Sequence, residues 1–328
     1  MTLARMIDWL RERWEWRREA KRDLSDPITH MFTQDVNAFL IPYRNSKEKP
    51  IRGRCEGAPD DVQVALRTLR SLARRASGRT DETEIIVGAV REVVKHMLWR
   101  SYAAFEIGQL ANEDDDGAYQ RAKRGDFTQQ QYFPLKPMTY GSLVRTPLGV
   151  VEIPSAQRRS WDESQRAIRV LSRGRAWLID PPRSLGGRAG LRRVLKRLSR
   201  FPLAFPRWTA TSLVKEQHEV RFDVNGYSRL QAAYQVVMVG GWGWSGRDTS
   251  LNHWTEYYLF DRTLRFKRAM ALLRQHVVAE INDLLTRRLA LDVRISLEGL
   301  SSAEEIGRVQ GLMAIGELSL GDAYDQVR

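Results

Sequence analysis

One stretch, residues 251–289, restricts the choice of folds because it contains neither proline nor glycine over its whole length. Its apolar residues recur at three- and four-residue steps, as expected for a helix with one buried face. They are Leu273, Val277, Ile281, Leu284 and Leu285. About 38 residues of helix span roughly 55 Å, which exceeds the diameter of a small domain. We therefore predict a long, nearly continuous helix in the C-terminal third of the chain.

Shorter helices and strands are predicted before and after this helix. Helices are expected at about 60–72 and 80–97, and both begin with carboxylates that suit a helix N-terminus. The strand candidates are short and apolar: 103–107, 132–135, 150–153 and 176–179. A last strand at 293–297 precedes a capping-box pattern at 301–304 and a final turn that begins at Ser319. This mixture predicts an α+β fold.

A basic amphipathic arm is predicted for residues 1–25. Its apolar side chains share one helical stripe: Leu3, Ile7, Leu10 and Trp14. Glutamates interleave the many arginines, which favours docking on a partner protein, with a membrane-surface helix as the alternative. Residues 26–185 are predicted to form an α+β domain in which 41–59, rich in proline, glycine and lysine, is a loop.

Residues 181–215 contain nine basic side chains and no carboxylate, so they carry most of the formal net charge of +13. A glycine-rich loop at 183–190 leads into a helical pattern with one apolar stripe: Leu191, Val194, Leu195 and Leu198. The candidate contact residues for an anionic partner are Arg183, Arg188, Arg192, Arg193, Lys196, Arg197, Arg200 and Arg207. Like charges at helical spacing repel one another, and an anionic partner would offset that cost. A basic face that is merely solvated is the alternative.

A second glycine-rich segment, at 240–246, carries two large aromatic rings. We interpret it as a hinge or an interface loop formed by Gly240, Gly241, Trp242, Gly243 and Trp244. A phosphate-binding loop is not favoured, because no phosphate-binding lysine accompanies these glycines. The glycines at 186, 187 and 190 precede a helix and could form an anion-binding nest, yet they also lack the Lys-Ser/Thr pair of a P-loop.

No arrangement of residues in the sequence predicts catalysis or metal binding. The five histidines are scattered, and no two have metal-ligand spacing on one helix. His96 and His276 lie beside apolar stripes, which favours packing or capping roles. The acidic run at 114–116 is typical of an exposed turn. We expect no catalytic residue, no metal and no cofactor, with an enzyme whose site assembles only in three dimensions as the alternative.

Composition limits the compartment and the partners. No run of 18 uncharged apolar residues predicts a membrane span, and charged residues near the N-terminus argue against a signal peptide. The single cysteine, Cys55, excludes a disulfide within the chain. We therefore expect synthesis in a reducing cytoplasm. A pI of about 10.1 favours nucleic acid as the partner, followed by an acidic protein surface.

The C-terminal third carries a sequence of segments that resembles a known family. Residues 273–285 read Leu-Arg-Gln-His-Val-Val-Ala-Glu-Ile-Asn-Asp-Leu-Leu and are followed by the strand pattern at 293–297. An acidic helix start at 301–305 and the run Met-Ala-Ile-Gly-Glu-Leu-Ser-Leu at 313–320 complete the order. This order resembles the end of the portal proteins of tailed phages.

Three upstream segments also resemble portal proteins. Residues 97–107 resemble a helix that runs into an Ala-x-Phe-Glu-Ile strand, and 133–137 resemble a Leu-x-Pro strand end. Residues 182–214 resemble the Gly-x-x-Leu helix that leads to the portal stem. The chain is short for a portal, its clip-like region at 219–246 is compact, and little sequence follows Gly316 to form a crown.

The resemblance implies a ring-forming α+β subunit. It would have a mixed α/β wing at 26–185, a helical stem and clip at 186–250, and a long helix, strand and terminal helices of wing and crown type at 251–328. A homo-oligomeric ring, usually of twelve copies, would lie at one capsid vertex of the virion as the channel for double-stranded DNA. The implied partners are the terminase large subunit, the head–tail adaptor and the major capsid protein.

Two points stay open at the level of sequence. Portal channels of this family tend to be acidic inside, so the basic cluster would contact either DNA or a neighbouring subunit. The alternative function is that of a basic, non-enzymatic nucleic-acid-binding protein that acts as a monomer or dimer, with 188–207 as its phosphate-contacting surface.

Overall fold

The computed structural model describes residues 27–42, 50–72, 81–112, 131–138, 141–146, 149–154, 169–198, 241–244 and 256–327. Seven α-helices lie within these residues: α1 (Pro27–Leu40), α2 (Pro59–Leu72), α3 (Glu82–Arg100), α4 (Gly187–Leu198), α5 (Glu256–Asp283), α6 (Ala303–Ala314) and α7 (Leu320–Gln326). The predicted arm at 1–25, the acidic run at 114–116 and nearly all of 199–250 lie outside the described residues.

Ten short strands form four small antiparallel sheets in the described part of the chain. They are β1 (Arg52–Gly57), β2 (Ala103–Ile107), β3 (Ala111–Asn112), β4 (Gln131–Tyr132), β5 (Leu135–Pro137), β6 (Gly141–Thr146), β7 (Gly149–Pro154), β8 (Arg169–Ser172), β9 (Ala176–Ile179) and β10 (Val293–Glu298). The strand orders are β1-β10, β5-β2-β9, β3-β4 and β6-β7-β8. Helices and antiparallel sheets occur together, so the α+β prediction is confirmed.

Strand β2 is the centre of the most deeply buried sheet, and all five of its residues are buried. Phe105 pairs with Pro137 on one side and Trp177 on the other, and its ring centroid lies 5.4 Å from that of Trp177. The preceding helix, α3, buries the apolar stripe that the sequence predicts: Ile86, Val90, Val93, Val94 and Met97. Helix α3 and strand β2 therefore form the middle of the main core.

The predicted loop at 41–59 is wrong for residues 52–57, which form strand β1 and pair with β10. The sequence does not indicate this strand, because arginine, glycine and glutamate occupy most of it instead of β-branched residues. Strand β1 forms instead because it pairs with β10, which is distant in the sequence. Gly53 is required by close packing, since a Cβ there would lie 3.0 Å from the Cα of Thr83. The Glu82 carboxylate accepts a hydrogen bond from the Cys55 N–H, which fixes β1 to the start of α3.

The strand predicted at 132–135 is also different in the structure. Tyr132 ends strand β4, and Leu135 begins β5, which pairs with β2. Pro134 lies between them, and its carbonyl accepts a hydrogen bond from the N–H of Gly108 at 2.8 Å. Proline has no N–H to donate to a ladder, so the chain breaks the strand pattern there.

The long helix predicted at 251–289 is confirmed for its described part. Helix α5 begins at Glu256 in the described residues and is followed directly by a π-helical turn, Leu284–Arg288. Its 28 residues span about 42 Å. All five residues of the predicted apolar stripe are buried: Leu273, Val277, Ile281, Leu284 and Leu285.

Two separate clusters of buried side chains lie on opposite sides of α5. Phe266, Leu273 and Val277 belong to the main core, which also receives side chains from α1, α3 and α4. Leu264 and Ala271 belong to a smaller core with α6 and α7. Leu264 and Leu273 are nine residues apart, and a rotation of about 100° per residue points them in opposite directions. Helix α5 therefore separates two clusters of buried side chains.

The last two helices begin with serine caps. The Glu305 N–H donates to the Ser302 Oγ at 3.1 Å, and the Ser302 N–H donates to the Glu305 Oε2 at 2.7 Å. The capping box predicted at 301–304 is thus one residue further along, because Ser302 has the extended backbone of an N-cap. The predicted start of the final turn is confirmed, since Ser319 caps α7 by accepting the Asp322 N–H at 3.2 Å.

Three regions are predicted from residue 26 onwards: 26–185, 186–250 and 251–328. Their described parts contribute side chains to one core. Phe32 and Phe105 come from the first region, Leu191 and Trp242 from the second, and Leu273 from the third. The described residues of 186–250 therefore pack in the same core as those of 26–185 rather than forming a separate core.

Candidate interaction surface

The turn that leads into α4 is shaped by two glycines. A short 3-10 turn, Arg183–Leu185, ends at Gly186, whose φ is 81°, and Gly187 follows with a φ of 59°. Side chains disfavour this left-handed conformation, which explains the glycines. The N–H groups of Gly186 and Gly187 donate to the carbonyls of Arg183 and Pro182 at 2.9 and 3.1 Å. These donors are therefore engaged within the turn and do not form the open anion-binding nest considered from the sequence.

Helix α4 has the amphipathic arrangement that the sequence predicts. Its four stripe residues are buried in the main core: Leu191, Val194, Leu195 and Leu198. Arg192, Arg193 and Lys196 are exposed on the other side, and we call these three residues the basic face. Within the described residues, no carboxylate forms an ion pair with Arg192 or Arg193. The side chain of Arg197, and all of Arg200 and Arg207, lie outside the described part of the chain.

Arg188 and Arg183 differ from the basic face. The guanidinium carbon of Arg188 lies 3.8 Å from the centroid of the Tyr102 ring, and Arg188 is half-buried. Such cation–π contacts contribute about 0.5–2 kcal/mol, depending on desolvation. Arg188 therefore fastens α4 to the end of α3, where Tyr102 is buried. Arg183 is exposed in the turn before α4.

Trp242 and Trp244 lie in the main core, with exposed fractions of 0% and 2%. The Nε1–H of Trp242 donates to the Leu185 carbonyl at 3.1 Å, and the Nε1–H of Trp244 donates to the Asp35 carboxylate at 2.9 Å. The Phe32 ring meets both indoles edge-on, with centroid distances of 5.8 and 5.1 Å. The rings thus serve packing within the chain instead of an exposed interface. Gly240 lies outside the described residues.

The two described glycines of this loop allow close approach of its backbone to neighbouring elements. Gly243 has a φ of 66°, and a Cβ there would lie 2.7 Å from the carbonyl carbon of Arg265 in α5. Gly241 has a φ of 83°, and its Cβ would lie 3.1 Å from the Ser184 carbonyl oxygen. Residues 241–244 therefore lie directly between α5 and the turn before α4, a position that opposes hinge motion at these glycines.

Arg274 is a buried residue that the sequence analysis misses. Its Nη1 donates to the Leu40 carbonyl at 3.0 Å, and its Nη2 donates to the Ser301 carbonyl at 2.6 Å. Burial lowers the pKa of the Arg274 guanidinium to about 10. Arg91 acts on the same end of α1, because its Nη2 donates to the Ile41 carbonyl at 2.7 Å. Arg274 thus links the end of α1 to the residue before the cap of α6. The signal in the sequence that could have identified this link is an arginine next to the apolar stripe of α5.

Of the packing or capping roles predicted for the two histidines of the apolar stripes, packing is confirmed for His96, whereas His276 bonds to a carbonyl that ends no helix. The His96 ring meets Phe105 edge-on at 5.3 Å, and the Nε2 of His276 donates to the Asp180 carbonyl at 2.8 Å. Glu92 lies 3.3 Å from the Nε2 of His96. Contact with His96, and then with Lys95, lowers the pKa of Glu92 to about 2. Within the described ranges, no group of His, Cys, Asp and Glu side chains is arranged to hold a metal ion.

An acidic surface is formed by α6 and α7, which the sequence analysis also misses. Between residues 301 and 327 there is one basic residue, Arg308, and all five carboxylates are exposed: Glu304, Glu305, Glu317, Asp322 and Asp325. Helix α7 is held against α5, since the Lys267 Nζ donates to the Val327 carbonyl at 2.8 Å. The carboxylates lie outside the small core between α5 and these helices, and that of Glu304 accepts a hydrogen bond from the Gln275 Nε2 of α5 at 3.3 Å.

Exposed apolar side chains accompany the carboxylates where α6 ends and α7 begins. Ile315 is 67% exposed, Tyr324 is 53% exposed and Tyr257 is 45% exposed. The Tyr257 hydroxyl donates to the Met313 carbonyl at 3.2 Å, and the Tyr324 ring stacks on Phe260 at 3.9 Å. These contacts bring the three side chains to the same end of α5. We call Tyr257, Ile315 and Tyr324, with Glu317, Asp322 and Asp325, the acidic end face.

No helix in the described residues is long and apolar enough to cross a membrane. Comparison of the sequence with models of protein families and with curated proteins gives no match.

Proposed function

We propose that the chain is a structural subunit of the tailed-phage portal type. About twelve copies would form a ring at one capsid vertex of the virion, surrounded by the major capsid protein. The ring would be the channel through which double-stranded DNA is packaged and ejected. It would bind the terminase large subunit during packaging and the head–tail adaptor afterwards, and it would carry no catalytic activity of its own.

The observation that carries the proposal is the order of the elements on which the portal-like segments fall. Residues 97–107 form the end of α3 and strand β2, and the described part of 182–214 forms the glycine turn and α4. Residues 273–285 lie in α5 and the turn after it, 293–297 form most of β10, and 301–320 run from the cap of α6 into α7. Helix, strand, basic helix, long helix, strand and capped helix thus follow one another in the order of the resemblance.

Packing adds support, because residues distant in sequence join the same sheet. Leu135, Lys136 and Pro137 form β5, which pairs with the Ala-Ala-Phe-Glu-Ile strand β2. Strand β9 pairs with the other edge of β2 and leads directly to the turn before α4. The wing-like segments of the resemblance therefore form one sheet whose last strand delivers the chain to the basic helix.

The electrostatics of the subunit are also compatible with a ring around DNA. The chain has a net charge of +13, and positive charge attracts the phosphate backbone without reading sequence. A dozen copies would multiply this charge around one axis.

Electron microscopy of the purified full-length chain in negative stain tests the proposal. Class averages should contain closed rings of about a dozen copies with a central opening wide enough for duplex DNA. Single subunits or dimers at micromolar concentration, without rings, would refute the portal proposal. A matched measurement with DNA present distinguishes a ring that needs DNA from one that forms alone.

A second function, that of a basic nucleic-acid-binding monomer or dimer, is favoured by one observation. Arg192, Arg193 and Lys196 are exposed together on α4. Such a protein would bind DNA with an affinity that falls steeply as salt rises, with a slope proportional to the number of phosphates contacted. A stable monomer with this salt dependence would support the second function over the first.

A further inference from the structure

We propose that the basic face of one copy binds the acidic end face of the next copy, which makes this contact the charged part of the interface between subunits. The proposal rests on the ring described above and specifies which surfaces meet in it. It gives the carboxylate-free helix α4 an anionic partner of defined chemistry: exposed carboxylates and tyrosines of a second copy of the chain.

The two faces lie on opposite sides of α5. Helix α4 packs in the main core with Phe266 and Leu273, whereas α6 and α7 pack in the smaller core with Leu264 and Ala271. Leu264 and Leu273 point in opposite directions from the helix axis, as their nine-residue separation requires. A contact between two different faces of identical subunits is heterologous, and it generates a ring when the rotation between copies closes. The position of the faces thus fits a cyclic assembly.

The charges of the two faces are complementary. Helix α4 has five basic residues and no carboxylate, of which Arg192, Arg193 and Lys196 form the basic face. The acidic end face presents Glu317, Asp322 and Asp325, and Arg308 is the one basic residue between residues 301 and 327. Opposite potentials across an interface steer encounter and fix the register, and they disfavour pairing of two like faces. Because the two faces lie on opposite sides of α5, this complementarity favours a head-to-tail contact over a symmetric dimer.

Apolar contacts can accompany the charges on both faces. On the acidic end face, Tyr257, Ile315 and Tyr324 are about half exposed or more. On the other side, Trp99 is 50% exposed in the last turn of α3, the helix against which α4 packs. Protein interfaces commonly place aromatic side chains at their centre and charges at their rim. A buried aromatic centre with a charged rim would explain why large apolar side chains remain exposed in the single subunit.

Duplex DNA is the competing partner for the basic face, but it leaves the acidic end face unexplained. DNA would repel Glu317, Asp322 and Asp325, so these carboxylates would have to face away from it. A neighbouring copy presents a surface of opposite charge to each face through one contact. We therefore assign the basic face to the subunit interface, and DNA binding by this face becomes an outcome of the test.

Charge reversal with rescue tests the contact. The first variant carries Arg192→Glu and Arg193→Glu, and the second carries Glu317→Lys and Asp325→Lys. Each variant alone should give a ring fraction about tenfold or more below that of the unaltered chain, because like charges would meet at every interface. Mixed in equal amounts, the two variants should restore rings, because every contact in an alternating ring would again join opposite charges. Mass photometry measures the ring fraction at one protein concentration.

Control variants distinguish loss of the fold from loss of the contact between subunits. Arg287 and Arg294 are exposed arginines outside both faces, and their double reversal to glutamate should leave the ring fraction unchanged. Rescue by mixing also excludes misfolding, because a variant that does not fold cannot enter a ring. Thermal unfolding of each variant provides an independent check.

The outcomes separate this proposal from the proposed function. If the unaltered chain forms rings and both variants form them equally well, the contact is refuted and the portal-type ring stands. If the Arg192→Glu and Arg193→Glu variant forms normal rings but loses DNA binding, the basic face belongs to DNA, which also refutes the contact. If the unaltered chain forms no ring, both proposals fail. Loss of rings in each variant with rescue on mixing supports the contact.

Discussion

Gly243→Ala should lower the free energy of unfolding by about 2–5 kcal/mol, from two costs that the structure separates. The φ of 66° is left-handed, and alanine in that conformation costs roughly 1–2 kcal/mol. The new Cβ would also lie 2.7 Å from the carbonyl carbon of Arg265 and 2.8 Å from the amide nitrogen of Phe266. Because these are backbone atoms of α5, the helix or the loop would have to move, and such overpacking costs about 1–3 kcal/mol.

Alanine substitutions at three other glycines measure the conformational cost and the contact cost separately. Gly316 has a φ of 78° and no atom within 4 Å of a Cβ, so alanine there should cost only the conformational part, roughly 1–2 kcal/mol. Gly53 lacks a positive φ, but its Cβ would lie 3.0 Å from the Cα of Thr83, so alanine there reports the contact alone. Gly311 has neither restriction within helix α6, and alanine there should stabilise the protein by about 0.5–1 kcal/mol.

Urea unfolding followed by tryptophan fluorescence measures all four variants. The midpoint and slope together give the change in unfolding free energy. Assembly raises the apparent stability by mass action, so the variants are compared at one protein concentration. If Gly243→Ala destabilises the protein no more than Gly316→Ala does, residues 241–244 are not packed against α5 and the reasoning is refuted.

Three buried or paired side chains give further predictions. Trp244→Phe removes an N–H donor from the buried carboxylate of Asp35 and should lower the unfolding free energy by about 1–3 kcal/mol in urea. Glu92 has a folded-state pKa of about 2, below its usual value of 4.5, so its stabilising contribution is present above about pH 4.5 and is lost as the pH falls towards 2. Glu92→Gln should therefore lose less stability over that interval in acid unfolding. Arg274→Met leaves two main-chain carbonyls without their donor and should cost about 2–5 kcal/mol in urea unfolding.

Exposed residues of the same types are matched controls for the glutamate and arginine predictions. Glu56→Gln and Arg287→Met should each change stability by less than about 0.5 kcal/mol at neutral pH. A buried variant that is as neutral as its control contradicts the contact assigned to it. For Glu92→Gln, an acid-unfolding curve parallel to that of the unaltered chain contradicts the pKa shift.

Helical stripes were the part of the fold that the sequence could predict. Leu191, Val194, Leu195 and Leu198 all lie in the core, as do the predicted stripes of α3 and α5. Helical periodicity is a local property, since every hydrogen bond joins residues four apart, so it can be recognised without knowledge of distant contacts. The exposed positions of Arg192, Arg193 and Lys196 follow from the same periodicity.

Features that depend on distant contacts could not be predicted from the sequence. Strand β1 exists because β10 pairs with it, although the two are separated by more than 200 residues. The glycines at 241 and 243 suggested a flexible loop, whereas their backbones lie tightly against other elements. Glycine permits both left-handed conformations and close approach, and the sequence does not distinguish these from flexibility.

In the candidate interaction surface, too, one part could be predicted from local sequence and the other depends on distant contacts. The basic face follows from one short segment of sequence. The acidic end face combines Tyr257 at the start of α5 with side chains of the last two helices, and only the packing of α6 and α7 on α5 brings them together. Its carboxylates are spread between residues 317 and 325 and form no run that the sequence analysis could identify.

The mass of the assembled full-length chain in solution tests the central claim most directly. One chain has a mass of 37.9 kDa, so a ring of twelve copies would have a mass of about 455 kDa. Native mass spectrometry at moderate salt should detect a single closed species of about this mass, with no continuous series of larger oligomers. A dominant species of one or two chains, unchanged when the concentration is raised tenfold, would contradict the account of this protein as a portal-type ring.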